Sequence, residues 1–200
     1  MGTVLNVYAI YNPEISYCQD MSDFLAPLLI EIGDSDGDKW VCDEALIFWC
    51  FERMMRRMEA NFRIDQSGMH AQLNLLRRVI TSADDDLAEF FRETDEQYNS
   101  CFRWIVVRFK REFDLDEITR LWEMIWTKEV GVDNLHIYIA AGLLLAHRKH
   151  IMKIERGAFD VLLRYINTAF STIFPTSAPI TVGCELAPSF YLLLLSETQR

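Results

Sequence analysis

The residues of this chain best placed to do chemistry on something other than the chain itself are Tyr17-Cys18-Gln19-Asp20-Met21, with Gln19 at the centre. A glutamine amide donates and accepts hydrogen bonds at once, so it can orient a water or hold a polar ligand. From Met21 the apolar residues Met21, Phe24, Leu25, Leu28, Leu29 and Ile32 recur at three- and four-residue steps, the stripe of a helix with one buried face. At about 100° per residue, Gln19, Asp23 and Ala26 fall roughly opposite that stripe. Gln19 is therefore expected near a helix start, facing outward. By position alone an outward glutamine is an ordinary surface residue, and only its surroundings can raise it above that.

Other reactive groups are less convincing. His147 and His150 in His147-Arg148-Lys149-His150 have the i, i+3 spacing of a metal-binding helix face, but no third ligand accompanies them, and a basic helix end complementing the dipole is the plainer reading. Asp34-Ser35-Asp36-Gly37-Asp38 resembles the start of a calcium loop. Its sixth position is Lys39 and its twelfth Ala45, where such a loop needs glycine and glutamate, so a capped, solvated loop is expected. Five cysteines, Cys18, Cys42, Cys50, Cys101 and Cys184, are odd in number and form no CxxC pair, which argues against a disulfide framework or a zinc site and for a reducing, cytoplasmic setting. No GxSxG, P-loop, dinucleotide fingerprint or HExxH occurs. A self-contained active site is not expected, nor a resident metal or cofactor.

Composition narrows the partners. The 200 residues are 50% hydrophobic and 25% charged, ordinary for one globular domain with a substantial core. A net charge of −10 and a pI near 4.9 argue against a nucleic-acid binder, whose phosphate contacts need clustered Lys and Arg, and favour a basic partner surface. No basic segment leads an apolar run at the N-terminus, and no window reaches the roughly 18 apolar residues of a membrane span.

The elements that must hold Gln19 all read as helices. Thr3 to Tyr11 is one, ended by Asn12-Pro13 because the residue before proline is pushed out of the α region. A second runs from about Tyr17 to Ile32, with a kink expected at Pro27. Trp40 to Phe62 is a core helix carrying Ala45, Phe48, Trp49, Phe51, Met54, Met55 and Met58. Met69, Leu73, Leu76 and Ile80 mark another, and the acidic Asp84-Asp85-Asp86 suits the positive end of the next, which holds Leu87, Phe90 and Phe91. Cys101 to Phe113 reads as a buried helix finishing in Lys110 and Arg111. Asp114 and Glu117 have capping-box spacing ahead of Ile118, Leu121, Trp122, Ile125 and Trp126. Ile137 to Ala146 is apolar nearly all round, a central helix, and Ala158 to Phe170 is amphipathic. After Phe174 the prolines Pro175, Pro179 and Pro188 break the pattern, so residues 175–200 are expected to be an irregular tail to a domain over 1–174. The fold class is all-α, and no fixed-period repeat suggests a solenoid.

These segments, in this order, resemble a family. Tyr11-Asn12-Pro13-Glu14 leading to Tyr17-Cys18-Gln19 and Met21-Ser22-Asp23 is similar to the YxQ motif of TBC domains, the all-helical Rab GTPase-activating modules. Glu44-Ala45 with Phe48-Trp49-Cys50-Phe51, then Cys101-Phe102-Arg103-Trp104 through Phe109-Lys110-Arg111-Glu112-Phe113, and Leu121-Trp122-Glu123 with Trp126-Thr127, resemble later TBC segments. The resemblance covers about residues 3–170. It implies a Rab-family GTPase partner that carries the GTP and magnesium, a role in vesicle trafficking, and recruitment to endomembranes by that partner.

The resemblance further implies a two-finger mechanism, in which an arginine of an IxxDxxR motif and the glutamine of YxQ enter the GTPase site. Gln19 matches the glutamine, which positions the attacking water in place of the GTPase's own glutamine while the arginine stabilises phosphoryl charge. Tyr17 and Cys18 would set its backbone, and Asp20 and Asp23 would share the partner-facing surface. Two departures follow. The family has glycine where this chain has Asp20, which adds a Cβ and a negative charge facing phosphate. The arginine motif precedes YxQ in the family, whereas the first arginine here is Arg53. The expectation is a TBC domain truncated at its N-terminus, a feeble activator given that an arginine finger contributes about 10³ to 10⁵ in rate, with uncovered apolar surface open to self-association.

Overall fold

A computed structural model describes residues 1–36, 39–126 and 134–168. The chain opens with helix α1, Gly2–Tyr11, whose Val4, Leu5 and Tyr8 are buried. It stops at Asn12, as the following proline requires. Helix α2 is Met21–Ile32. It starts with the apolar stripe at Met21, later than the start expected near Tyr17: the Cys18, Gln19 and Asp20 carbonyls accept from the Met21, Ser22 and Asp23 amides at 3.0, 3.2 and 3.1 Å, a tight i to i+3 lead-in. Gln19 therefore stands in a turn ahead of the helix. Pro27 lies inside α2, buried.

The acidic loop, and the start expected for the core helix at Trp40, are both corrected. Asp34–Asp36 and Lys39–Val41 pair as short antiparallel strands β1 and β2, with Ser35 opposite Trp40; this small hairpin sits within an otherwise helical fold. Helix α3, Glu44–Met58, begins on Asp43, whose carboxylate accepts from the Ala45 and Leu46 amides at 3.0 Å each, the N-cap that sets its start. Its buried face is Ile47, Phe48, Phe51, Met55 and Met58. Trp49, expected in that stripe, is 55% exposed, because it stands about 100° around the helix from Phe48. A single 3₁₀ turn, Glu59–Asn61, follows.

Helix α4, Ser67–Ala83, is the hub: α5 (Asp85–Thr94), α6 (Phe102–Val106) and α8 (Leu135–Ala146) all pack on it. Its approach to the preceding turn is close, since a Cβ on Gly68 would lie 2.5 Å from the Ala60 carbonyl carbon. Asp84 caps α5, accepting from the Leu87 amide at 2.9 Å, and also pairs with Arg148 across the fold. Helix α6 ends early, which corrects the single helix expected over Cys101 to Phe113. Arg108 and Phe109 both take left-handed conformations, φ 48° and 64°, and the Phe109 amide reaches back to the Trp104 carbonyl at 2.9 Å, closing the last turn. The reversal buries Phe109 and leaves the Arg108 carbonyl to the Trp122 indole at 2.9 Å.

Helix α7, Leu115–Trp126, carries the expected capping box: Asp114 Oδ1 accepts from the Glu117 amide at 3.0 Å while Glu117 Oε2 accepts from the Asp114 amide at 3.3 Å. Phe24 of α2 stacks on Trp122 with centroids 5.5 Å apart. Helix α8 is buried through most of its length, and α9 (Arg148–Ile151) and α10 (Phe159–Thr168) complete the described chain. His147 bonds the Tyr165 hydroxyl at 2.6 Å and the His150 ring stacks on Tyr165. The expected irregular tail, 175–200, lies outside the described residues.

Candidate functional site

The turn that presents Gln19 is fixed from both sides. Upstream, Ser16 adopts a left-handed conformation, φ 58°, and its amide bonds the Asn12 carbonyl at 2.8 Å, folding the chain back after α1. Downstream, the Ser22 hydroxyl donates to the Gln19 carbonyl at 2.8 Å and the Cys18 amide reaches the Met21 sulfur at 3.4 Å. Met21 is fully buried, so the turn is pinned to the core through its neighbour. The backbone of Gln19 is held while its side chain is exposed, with no hydrogen bond from that amide to the described residues. This is the arrangement that leaves an amide available to a second molecule at little cost in ordering.

The structure brings Tyr17, Cys18, Gln19, Asp20 and Asp23 to one edge. Tyr17 is half-exposed, and Cys18 is half-buried against the core. Asp20 sits at φ −66°, ψ −15°, ordinary right-handed backbone, so the turn makes no use of a glycine's conformational freedom here. Only its Cβ and charge distinguish it from glycine, and the charge is engaged. Arg111 Nη2 lies 2.9 Å from Asp20 Oδ1 and 2.7 Å from Asp23 Oδ2, and Arg111 Nε donates to Asp23 Oδ2 at 3.0 Å. Hydrogen bonding to Asp23, with the charges of both aspartates, raises the Arg111 pKa above its ordinary value.

Arg111 is the site residue that sequence reasoning missed. Its sequence setting predicts a cation at a helix C-terminus, but the left-handed turn at Arg108 and Phe109 carries it away from α6 and toward α2. Its partners lie 88 and 91 residues away in the chain, and no local pattern marks such a contact. Glu112 is held chiefly by Arg103, at 2.6 Å: burial raises its pKa, while the charges of Arg103 and, less strongly, Arg111 lower it.

A second surface lies across α1 and α3. Val7, Ile10, Tyr11, Leu46 and Trp49 are all 45% exposed or more, and Tyr11 meets Trp49 edge-on at 5.9 Å. Among the described residues no group of three or more His, Cys, Asp or Glu converges on a metal position, and no helix is long and apolar enough to cross a membrane.

Comparison with known proteins gives a consistent answer. A family model described as the Rab-GTPase-TBC domain matches residues 1–152. The GTPase-activating protein gyp7 of Schizosaccharomyces pombe is 36% identical over 168 residues, 84% of this chain and 21% of that protein. TBC1 domain family member 17 of Homo sapiens is 33% identical over 168 residues, 84% of this chain and 24% of that protein. The chain thus spans about a fifth to a quarter of these relatives' lengths. In fold it is similar to the crystal structure of the Ypt/Rab-GAP domain of Gyp1p, with a TM-score of 0.78 at 20% identity, covering 96% of this chain and 64% of that one.

Proposed function

Because the chain belongs to the Rab-GTPase-TBC domain family, we propose that it stimulates GTP hydrolysis by a Rab-type GTPase through Gln19. The observation that carries the reading is the exposed Gln19 amide on a backbone fixed by Ser22 and Met21. An amide presented in this way accepts from, and donates to, a water held in line with the γ-phosphoryl group, and positioning of this kind is most of what phosphoryl transfer asks of a protein. GTP and magnesium belong to the partner. Gln19 touches the reacting water, while Tyr17, Cys18, Asp20 and Asp23 form the surrounding contact surface. Residues 1–200 tested alone bring this glutamine with no arginine ahead of it, so their acceleration is expected to be weak and to rise when an arginine-bearing N-terminal segment is joined to them.

Single-turnover GTP hydrolysis by a panel of Rab proteins tests the proposal. Acceleration by this chain, alone or with that segment, supports it; none in either form sinks it. A second reading, a Rab-binding or scaffold module without catalysis, draws on the exposed apolar ridge of Ile10, Tyr11 and Trp49, since a contiguous patch of this kind marks an interaction surface. That reading requires GTP-dependent binding that survives Gln19→Ala with no effect on rate.

A further inference from the structure

Asp20 places a carboxylate next to the residue that must approach a triphosphate, and an uncompensated charge there opposes the approach. We infer that Arg111 is a positioning residue for the Gln19 site: it draws the Asp20 carboxylate against α2 and offsets part of its charge, keeping the turn open to a phosphate-bearing partner. This rests on the Rab-activating reading for its catalytic consequence, but the electrostatic part stands on geometry alone.

Three features carry it. Asp20 needs no special backbone, so its side chain alone decides whether it is tolerated beside Gln19. One guanidinium bridges both aspartates, at 2.9 Å to Asp20 and 2.7 Å to Asp23, and its planar fork fixes the direction of both carboxylates as an ammonium would not. The bridge is delivered by the double left-handed turn at Arg108 and Phe109, with Lys110 and Glu112 held to the Val107 and Phe109 carbonyls at 2.9 Å each. The neighbouring acid is already occupied by Arg103. Arg111 acts on the site only through Asp20, so it is not a catalytic residue.

The test compares the full chain with R111Q, R111K, R111Q/D20N and R111Q/D23N, with melting temperatures showing that each is folded. One readout needs no GTPase. The Cys18 thiolate attacks an aromatic disulfide, forming a mixed disulfide and releasing the aromatic thiolate, and peptide-resolved mass spectrometry separates Cys18 from the other cysteines. Its rate with dianionic dithiobis-nitrobenzoate divided by its rate with neutral dithiodipyridine reports the charge at the turn. R111Q is expected to lower that ratio by about three- to tenfold at low salt, and the loss should shrink as salt screens it. R111Q/D20N should restore it more fully than R111Q/D23N, because Asp20 adjoins Gln19. The other readout is single-turnover hydrolysis by any Rab that responds to the parent chain: R111Q should slow it by about tenfold, an unscreened like charge near the phosphates, with D20N again the better rescue and R111K intermediate.

A probe ratio unmoved by R111Q overturns the inference whatever the GTPase assay shows. So does a responsive Rab whose rate R111Q leaves unchanged, or whose R111Q loss D20N fails to rescue. If no Rab responds while the probe ratio shifts and is rescued, the functional reading fails and the electrostatic role of Arg111 stands.

Discussion

Gln19 and Arg111 differ in how far the sequence reveals them. Gln19 was legible twice, from its place opposite the Met21, Phe24, Leu25 stripe and from the YxQ context, and the structure places it exposed on a turn. Its turn was less legible, because the lead-in is held by carbonyls of Cys18, Gln19 and Asp20 that any residue type supplies. Arg111 was invisible for a different reason: its meaning is a long-range ion pair, while its local setting mimics a helix C-terminus. At this scale Arg108 supplies a prediction. The residue is 7% exposed, and its Nε and one terminal nitrogen lack hydrogen-bond partners among the described residues; burial pushes its pKa down to about 9. A buried cation without good partners costs more than an apolar group of similar length, so Arg108→Met is expected to stabilise the fold by about 1–4 kcal/mol. Urea denaturation checks this, and an unchanged or lowered midpoint would contradict it.

Among the elements, long periodic helices are readable, and their ends are readable only where local chemistry sets them. The stripe of α4, Met69, Leu73, Leu76 and Ile80, is buried as expected, and the Asp114–Glu117 box starts α7 where its spacing said. Local chemistry sets both. The end of α6 escaped notice because Arg108 and Phe109 have no intrinsic preference for left-handed backbone; tertiary contacts of Phe109 and of the Arg108 carbonyl impose it. The sequence points to a loop at Asp34–Asp38 and a helix from Trp40 instead of the pairing of Asp34–Asp36 with Lys39–Val41, because an Asp-Ser-Asp strand carries no β signal and three residues are too few to show alternation. One close contact at this scale invites a direct check. A methyl on Gly68 meets the Ala60 backbone at 2.5 Å, and backbone cannot move aside as a side-chain tip does, so Gly68→Ala is expected to destabilise by about 1–3 kcal/mol despite alanine's better helix propensity. A rise in thermal midpoint would show that the turn at Glu59–Asn61 yields.

For the molecule as a whole, the mainly apolar core also buries a few polar groups, among them His136, which is 2% exposed and bonds Gln72 Oε1 at 2.6 Å. Burial, then the nearby Arg108 charge, holds its pKa well below 6.5, and burial and His150 lower that of His147 too. Both rings are harder to protonate in the fold than in the unfolded chain, so acid favours unfolding. Stability is expected to fall as pH drops from 6.5 toward the folded-state values, by at most about 1.4 kcal/mol per pH unit and per histidine, and His136→Gln should flatten the slope between pH 7.5 and 5.5. Identical slopes in the two proteins would exclude His136 as a source. This core serves one purpose in the proposed function, to hold a turn whose glutamine works in another protein's site. The most direct measurement of that claim is single-turnover hydrolysis by a responsive Rab whose own switch glutamine has been replaced by alanine. The chain should still accelerate it, and Gln19→Ala should remove about 10²-fold of that acceleration, as loss of a group aligned on the reacting atoms does. Acceleration that vanishes when the Rab's own glutamine is removed, or that survives Gln19→Ala, would contradict the account.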